Sequence, residues 1–163
     1  VDVTPSTYGD VASTTVMLRQ LMKIALFDFW IANEDRNANN ANLLYDVSRG
    51  RLVSIDYGCI LNTATFDYAM SQLTTTDTIL WSDLFQHLAK SKDRTTIDAI
   101  VSELKTVYTA CLKRSKRQVK QIVEGLPKEW NVPGKVVEEK LQQLFDEQWT
   151  AGVWDNFAAI FDN

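Results

Sequence analysis

Apolar residues are most concentrated between residues 16 and 31, where they cover nearly the whole circumference of a predicted helix. Ser13 or Thr14 can cap the start of this helix, and the apolar pattern stops near Ala32. Its most apolar part, residues 24–32, contains a single charged residue, Asp28. A helix that is apolar on all sides is buried in a protein interior. We therefore predict that this segment is the central helix of the domain.

The pattern changes abruptly after this helix. Residues 33–42 contain five asparagines in ten positions, and Asn bonds readily to nearby backbone, so we predict a structured loop. Two short strand-like runs follow at 43–47 and 52–55. The three residues Ser48-Arg49-Gly50 between them are typical of a hairpin turn, because Gly supplies the positive φ that such a turn needs.

Most of the remaining chain has helical periodicity. Residues 62–80 are rich in Thr, Ser and Asp and are predicted to connect the hairpin to the helical part over the surface. From residue 82 onward, spacings of three and four predict helices at 83–90, 95–113 and 119–125, one from Val136 to Trp149, and a last one from Trp154. The predicted fold is therefore mainly α with one small β-hairpin. Residues 1–12 form a loop or tail, and residues 13–163 form one domain.

Composition narrows the class of protein. The chain has 163 residues, 45% hydrophobic and 23% charged, which is typical of one ordinary globular domain and excludes a disordered or collagen-like chain. A net charge of -4 argues against a surface-wide footprint for nucleic acid. One His and no Cys-x-x-Cys pair argue against structural zinc, and no uncharged apolar stretch is long enough to span a membrane. Two cysteines fit a reducing compartment, so we expect a cytoplasmic protein.

A basic run interrupts the otherwise mixed charge pattern of the helical part. It consists of Lys113, Arg114, Lys116, Arg117 and Lys120. The simpler interpretation is a solvated helix face. The alternative is a contact with nucleic acid, which the net negative charge and the lack of interleaved aromatic residues argue against as the main function.

One constellation points to chemistry. Asp35 is followed five residues later by Asn40, and the predicted hairpin ends in Ile55-Asp56-Tyr57-Gly58. In the protein-kinase signature a catalytic Asp precedes a metal-binding Asn by the same five positions, and an Asp-aromatic-Gly triplet follows. An Asn-rich capping loop followed by a tight turn is the alternative interpretation of these residues.

The residue types suit the transfer of a phosphoryl group. Magnesium, which accompanies ATP, prefers hard oxygen ligands, and Asp56 and Asn40 offer a carboxylate and an amide oxygen from opposite ends of the hairpin. We expect these two side chains to converge at its mouth. Asp35, at the end of the buried helix, could accept a hydrogen bond from an attacking hydroxyl group. Gly58 allows the chain to turn sharply after Asp56.

Three segments carry a resemblance to a known family. They are Asn33-Glu34-Asp35-Arg36, Asn40-Ala41-Asn42-Leu43-Leu44 and Ile55-Asp56-Tyr57-Gly58-Cys59-Ile60-Leu61. They resemble the N-x-D-R, N-x-N-L-L and I-D-H-G-x-x-L motifs of the HipA-like kinase family, and they are similar more widely to protein-kinase-like and phosphatidylinositol-kinase-like folds. The resemblance implies the C-terminal lobe of such a kinase, with a catalytic loop at 33–42, a metal-binding hairpin at 43–58 and a helical remainder at 82–163.

The resemblance also implies an activity and a set of site residues. The parent protein would transfer the γ-phosphoryl group of ATP, with magnesium, to a Ser or Thr hydroxyl of a protein. Asp35 would be the catalytic base, and Asn40 and Asp56 would bind magnesium. The remaining motif residues would support the loop or contact a phosphate: Arg36, Asn42 and Gly58. Some members of the family act within DNA-binding toxin–antitoxin assemblies.

Two departures and one omission qualify this resemblance. Tyr57 stands where the family motif has His, and Asn37 replaces a frequent loop His. The chain has no G-x-G-x-x-G loop and no strand-borne Lys before residue 33, and it begins with Val. We therefore expect a nucleotide-covering N-terminal lobe upstream of residue 1, and an isolated fragment that is inactive and binds magnesium–ATP weakly. The alternative functions are a non-catalytic kinase-like module that binds a protein partner and, less favoured, a lipid or small-molecule kinase.

Overall fold

The computed structural model describes residues 1–62 and 69–162. Its helices and strands, in chain order, are α1 (Thr15–Ile31), β1 (Leu43–Asp46), β2 (Arg51–Ser54), α2 (Asp83–Ala89), α3 (Arg94–Lys116), α4 (Val119–Glu124), α5 (Gly134–Gln143) and α6 (Glu147–Ala159). Single 3-10 turns occur at Tyr8–Asp10, Ile79–Trp81 and Lys128–Trp130. The prediction of a mainly helical fold with one hairpin is confirmed.

Helix α1 is the centre of the fold, as its all-round apolar pattern predicted. The Thr14 side chain caps it by accepting a hydrogen bond from the backbone N–H of Met17. The helix ends at Ala32, which has a left-handed conformation with a φ of 49°. Because α1 packs against α2, α6 and β2, side chains on several of its faces are buried, Leu18 and Leu21 completely.

The hairpin is a two-stranded antiparallel sheet. Leu43 lies opposite Ser54, and Asp46 lies opposite Arg51 at the turn. The hydrogen bond from the Ile55 backbone N–H to the Asn42 carbonyl, at 3.0 Å, continues the pairing one step beyond the strands. The two segments that flank the hairpin therefore remain side by side where it opens.

Residues 1–12, expected to be a loop or tail, are mostly irregular but are packed against the hairpin. The backbone N–H of Val3 donates to the Leu43 carbonyl at 2.9 Å, on the edge of β1 that β2 does not use. Tyr8 and Val11 are buried in the same core as α1. Their apolar side chains bind this segment to the domain in spite of its polar neighbours.

The helical part differs from the prediction most at the boundary between its last two helices, the second of which begins at Glu147 and not at Trp154. A single helix was expected to run from Val136 to Trp149, but α5 ends at Gln143 and Trp149 lies in α6. The chain turns out of the helix at Asp146, whose ψ of 141° is extended. The turn allows the Trp149 indole to donate to the carbonyl of Trp30 at 3.0 Å, which ties α6 to the end of α1.

The predicted connection at 62–80 lies partly outside the described residues, since these omit 63–68. Its described end is anchored in the core by Ile79 and Leu80, which are buried. Both cysteines, Cys59 and Cys111, are free thiols. Among the helices of the described part of the chain, none combines the length and the apolar character needed to cross a membrane.

Candidate functional site

The Asp35 carboxylate accepts hydrogen bonds from two other side chains of the loop between α1 and β1. Its Oδ1 accepts a hydrogen bond from the amide Nδ2 of Asn40 at 3.0 Å, and its Oδ2 accepts one from the Nδ2 of Asn42 at 2.6 Å. All three side chains are partly buried. A carboxylate has about four acceptor positions, so each Asp35 oxygen can accept a further hydrogen bond from another donor.

The asparagines shape the loop as well as the site. The backbone groups of Asn37 and Asn40 exchange two hydrogen bonds, at 3.0 and 3.3 Å, and close a tight turn. The Oδ1 of Asn37 accepts from the backbone N–H of Asn39 at 3.0 Å within that turn. Side-chain bonds to the local backbone are the reason for the high Asn content of this segment. They place Asn40 so that its amide reaches back to Asp35.

Arg36 is completely buried and stabilises the loop from the interior of the protein. Its Nη1 lies 2.5 Å from the Oδ1 of Asp28 in α1, its Nε donates to the Ala41 carbonyl at 3.1 Å, and its Nη2 donates to the Ile55 carbonyl at 2.6 Å. The guanidinium group therefore joins three elements: α1, the loop before β1 and the residue that precedes Asp56. The rigid fork of donors in Arg suits such a junction.

Asp28 completes this buried network. Its Oδ1 also accepts from the Nδ2 of Asn33 at 2.9 Å, while its Oδ2 has no hydrogen-bond partner in the described structure. Burial raises the pKa of Asp28 to about 6, because the loss of hydration outweighs the attraction of the Arg36 guanidinium. No sequence motif assigned a role to Asp28. In the sequence it stands out as the single acidic residue inside the most apolar run of the chain.

Tyr57 covers the other face of this network. The guanidinium carbon of Arg36 lies 4.8 Å from the centre of the Tyr57 ring, at cation–π distance. The Tyr57 hydroxyl is 2.5 Å from the Oγ of Ser54, which fixes the ring orientation. The Tyr that replaces the family's usual His is thus packed on the same Arg that supports the loop.

Asp56 is held far more loosely than Asp35. It is exposed, and its Oδ1 accepts from the backbone N–H of Gly58 at 3.2 Å. Its φ of 55° is left-handed, and a Cβ at Gly58 would lie 3.2 Å from that same oxygen, so Gly fits the turn. Among these described residues, no hydrogen bond or ion pair joins Asp56 to Asp35 or Asn40. The hairpin brings the two segments side by side at its mouth.

The donor set fits magnesium bound together with a nucleotide. Within the described residues, no group of three or more His, Cys, Asp or Glu is placed to hold a metal ion. Magnesium needs no such group, since it is usually bound by one or two carboxylates plus water and substrate phosphates. Asp56 supplies an exposed carboxylate, and Asn40 donates through its nitrogen, which leaves its amide oxygen for a cation.

A comparison with models of known protein families found a match. A family model described as HipA-like kinase matches residues 3–150, which includes the loop, the hairpin and five of the helices in full. No curated protein and no solved structure matches the chain.

Proposed function

The chain belongs to the HipA-like kinase family, and from that premise we propose that residues 33–58 form the catalytic and metal-binding side of an ATP-dependent phosphotransferase. The proposed reaction moves the γ-phosphoryl group of ATP to a hydroxyl, that of a Ser or Thr in a protein. The observation that carries the proposal is the Asp35 carboxylate, both of whose oxygens are oriented by asparagine amides.

Asp35 has the geometry required of a group that orients an acceptor hydroxyl. Asn40 and Asn42 fix both carboxylate oxygens, so little reorganisation is needed when a hydroxyl donates to one of them. Phosphoryl transfer is catalysed mainly by positioning and electrostatic stabilisation. Asp35 then holds the hydroxyl in line with the γ-phosphorus atom and accepts its proton as the new P–O bond forms, while the bond from that phosphorus to the bridging oxygen breaks and ADP leaves.

Asn40 and Asp56 are the proposed magnesium ligands. Asn40 connects the two functions, because its nitrogen orients Asp35 while its oxygen is turned away from Asp35. Asp56 offers an exposed carboxylate on the neighbouring segment. When bound, magnesium neutralises charge on the phosphate oxygens.

Arg36 is proposed to hold the loop and not to contact phosphate. Its guanidinium group is fully buried, and acceptors on Asp28, Ala41 and Ile55 already occupy its donors. A phosphate could reach it only if this network were dismantled. Asn42 has a similar supporting role through Asp35, and Gly58 has one through the turn that carries Asp56.

The test uses the complete product of the gene and follows ATP turnover as a function of magnesium concentration. Asp35→Asn should lower kcat at least about a hundredfold while leaving the magnesium requirement unchanged. Asp56→Asn should raise the magnesium concentration needed for half-maximal turnover. Asn40→Ala should do both, since Asn40 contacts Asp35 and is a proposed metal ligand. Transfer of labelled phosphate to protein Ser or Thr tests the acceptor.

A matched control is Asp46→Asn. Asp46 lies on the same hairpin at its turn end, and its carboxylate pairs with Arg49 and Arg51 on the surface. This variant should retain wild-type turnover and magnesium dependence. Wild-type activity in all three site variants would refute the proposal. Activity with lipid or small-molecule acceptors alone would keep the phosphotransferase but exclude a protein acceptor.

A further inference from the structure

A groove between α1 and α3 lies outside residues 33–58, although the ring of its wall residue Phe27 contacts Tyr57 of the proposed site at 5.8 Å between centroids. It has a volume of about 280 Å³. Its apolar walls are Leu26, Phe27 and Trp30 of α1 and Val107, Tyr108 and Cys111 of α3. An ion pair at 2.9 Å joins the two helices between Arg19, near the start of α1, and Glu103, near the middle of α3. The groove opens between their C-terminal halves.

The groove exposes more apolar surface than a helical packing interface normally leaves. The Phe27 side chain is 42% exposed and Val107 is 37% exposed, on opposite walls. Cys111 is also exposed, one turn further along α3. Exposed apolar residues on both walls of one groove, with polar residues around them, form a surface of the kind that protein partners bind.

The rim of the groove is positively charged. Lys23 lines it on the α1 side, while Arg114 and Lys116 flank the lining residue Ser115 on the last turn of α3. All three cations are exposed, and no carboxylate of the described residues lies within ion-pair distance of any of them. By contrast, Arg94 at the start of α3 pairs with Asp98. The basic run in the sequence thus begins beside an apolar groove.

We propose that this groove docks an amphipathic helical segment of a partner protein, with apolar side chains on one face and Asp or Glu on both flanks. Apolar walls select the apolar face, and cations on both sides select acidic flanks. A nucleic acid would need polar groups along the floor, which these walls lack. A fatty acid would need a cation at one end only. The proposal does not depend on kinase activity.

The test uses two labelled synthetic peptides of about four helical turns. Both carry Leu at helical spacing on one face; one has Glu on the flanks and the other has Lys. Fluorescence anisotropy should show micromolar binding of the Glu peptide, at least about tenfold tighter than the Lys peptide. The double variant Lys23→Glu with Arg114→Glu should reverse this preference. Because reversal is a gain of binding, misfolding cannot produce it.

Two valines of equal exposure supply the matched control. Val107→Asp places a charge in the groove and should weaken binding of the Glu peptide at least about tenfold. Val136→Asp makes the same change on α5, where Val136 is also 37% exposed, and should leave binding unchanged. Circular dichroism checks that both variants retain their helices.

Four results would overturn the proposal. These are equal affinity for the two peptides, failure of the double variant to reverse the preference, equal loss of binding in the two valine variants, and displacement of the Glu peptide by duplex DNA or by dodecanoate. The last result would assign the groove to a nucleic acid or a fatty acid instead. None of these outcomes depends on ATP turnover, so the proposed function is tested separately.

Discussion

The loop that carries Asp35 and the turn that carries Asp56 lie side by side at the mouth of one hairpin, but they are held in different ways. Both oxygens of Asp35 accept side-chain hydrogen bonds. The next residue, Arg36, is fully buried, and its guanidinium group donates to four acceptor atoms. Asp56 is exposed, has a left-handed backbone and bonds to Gly58 within its own turn. The contacts of Arg36, which we call the clamp, hold the loop around Asp35, whereas the turn that carries Asp56 is open to solvent.

This difference agrees with what each region is proposed to do. A group that orients an acceptor hydroxyl gains from rigidity, because positioning is most of its contribution. A ligand for a metal that arrives with a nucleotide gains from access and needs less prior order. The buried pair between Asp28 and Arg36 joins the two regions, since Arg36 also binds the carbonyl of Ile55. The clamp therefore sets where the open turn begins.

The largest effect should follow from removing the clamp. Arg36→Ala leaves Asp28 buried without its cationic partner and frees three backbone carbonyls. Breaking a buried ion pair in this way costs about 3–5 kcal/mol of unfolding free energy. Urea unfolding should show this loss. Arg51→Ala is the control on the surface. It removes the 3.3 Å ion pair with Asp46 at the turn end of the hairpin, and should lower the unfolding free energy by no more than about 1 kcal/mol.

Similar losses of unfolding free energy in Arg36→Ala and Arg51→Ala would show that Arg36 does not hold the loop more firmly than a surface ion pair would. The hydrogen-bond geometry makes a further distinction. Arg36→Lys keeps the charge but lacks the fork that reaches Asp28, Ala41 and Ile55 together, so it should recover only part of the lost stability. Full recovery would show that charge alone matters and that the loop is not held by the carbonyl contacts.

The next effect is a pH dependence specific to Asp28. Its pKa in the folded state is about 6, above the unfolded value of 3.8. The folded chain therefore binds this proton more readily, and the contribution of Asp28 is greatest at low pH and lost as the pH rises through 6. The loss amounts to up to about 3 kcal/mol between pH 4 and pH 7. Asp28→Asn should remove this slope from unfolding free energies measured by denaturant titration.

Asp46→Asn is the control of opposite sign. Hydrogen bonding from Ser48, followed by the interactions with Arg49 and Arg51, lowers the pKa of Asp46, which is half-buried. Its contribution is present above the unfolded pKa and lost as the pH falls. The two variants should therefore change the pH profile in opposite directions. An unchanged profile in Asp28→Asn would mean that Asp28 does not titrate in this range.

Features that depend on local sequence could be predicted, whereas those that depend on the packing of distant segments could not. The elements of the site depend on local patterns: the apolar run predicts α1, the Asn content predicts a structured loop, and Ser48-Arg49-Gly50 predicts the hairpin turn. The pair between Asp28 and Arg36 depends on how α1 packs against the loop, which no local pattern specifies. The break before Trp149 is similar, because its indole bonds to Trp30, which is 119 residues away in the sequence.

The smallest effect is expected at Asp56, where backbone and side-chain roles can be separated. Asp56→Ala keeps a side chain at a φ of 55° and loses the bond to the Gly58 N–H, so it should destabilise the fold by about 1 kcal/mol. Asp56→Gly loses the same bond but suits the left-handed backbone, so it should lie within about 0.5 kcal/mol of wild type. Urea unfolding measures both.

Both Asp56 variants lack the carboxylate, so both should show the same increase in the magnesium concentration required for ATP turnover by the complete gene product. Equal loss of stability of more than about 2 kcal/mol in both variants would show that the Asp56 carboxylate supports the fold. The turn would then be as firmly held as the loop around Asp35, and the contrast between a clamped base and an open metal ligand would be wrong. Equal magnesium dependence with unequal stability would instead separate the cost of the left-handed backbone from the role of the carboxylate.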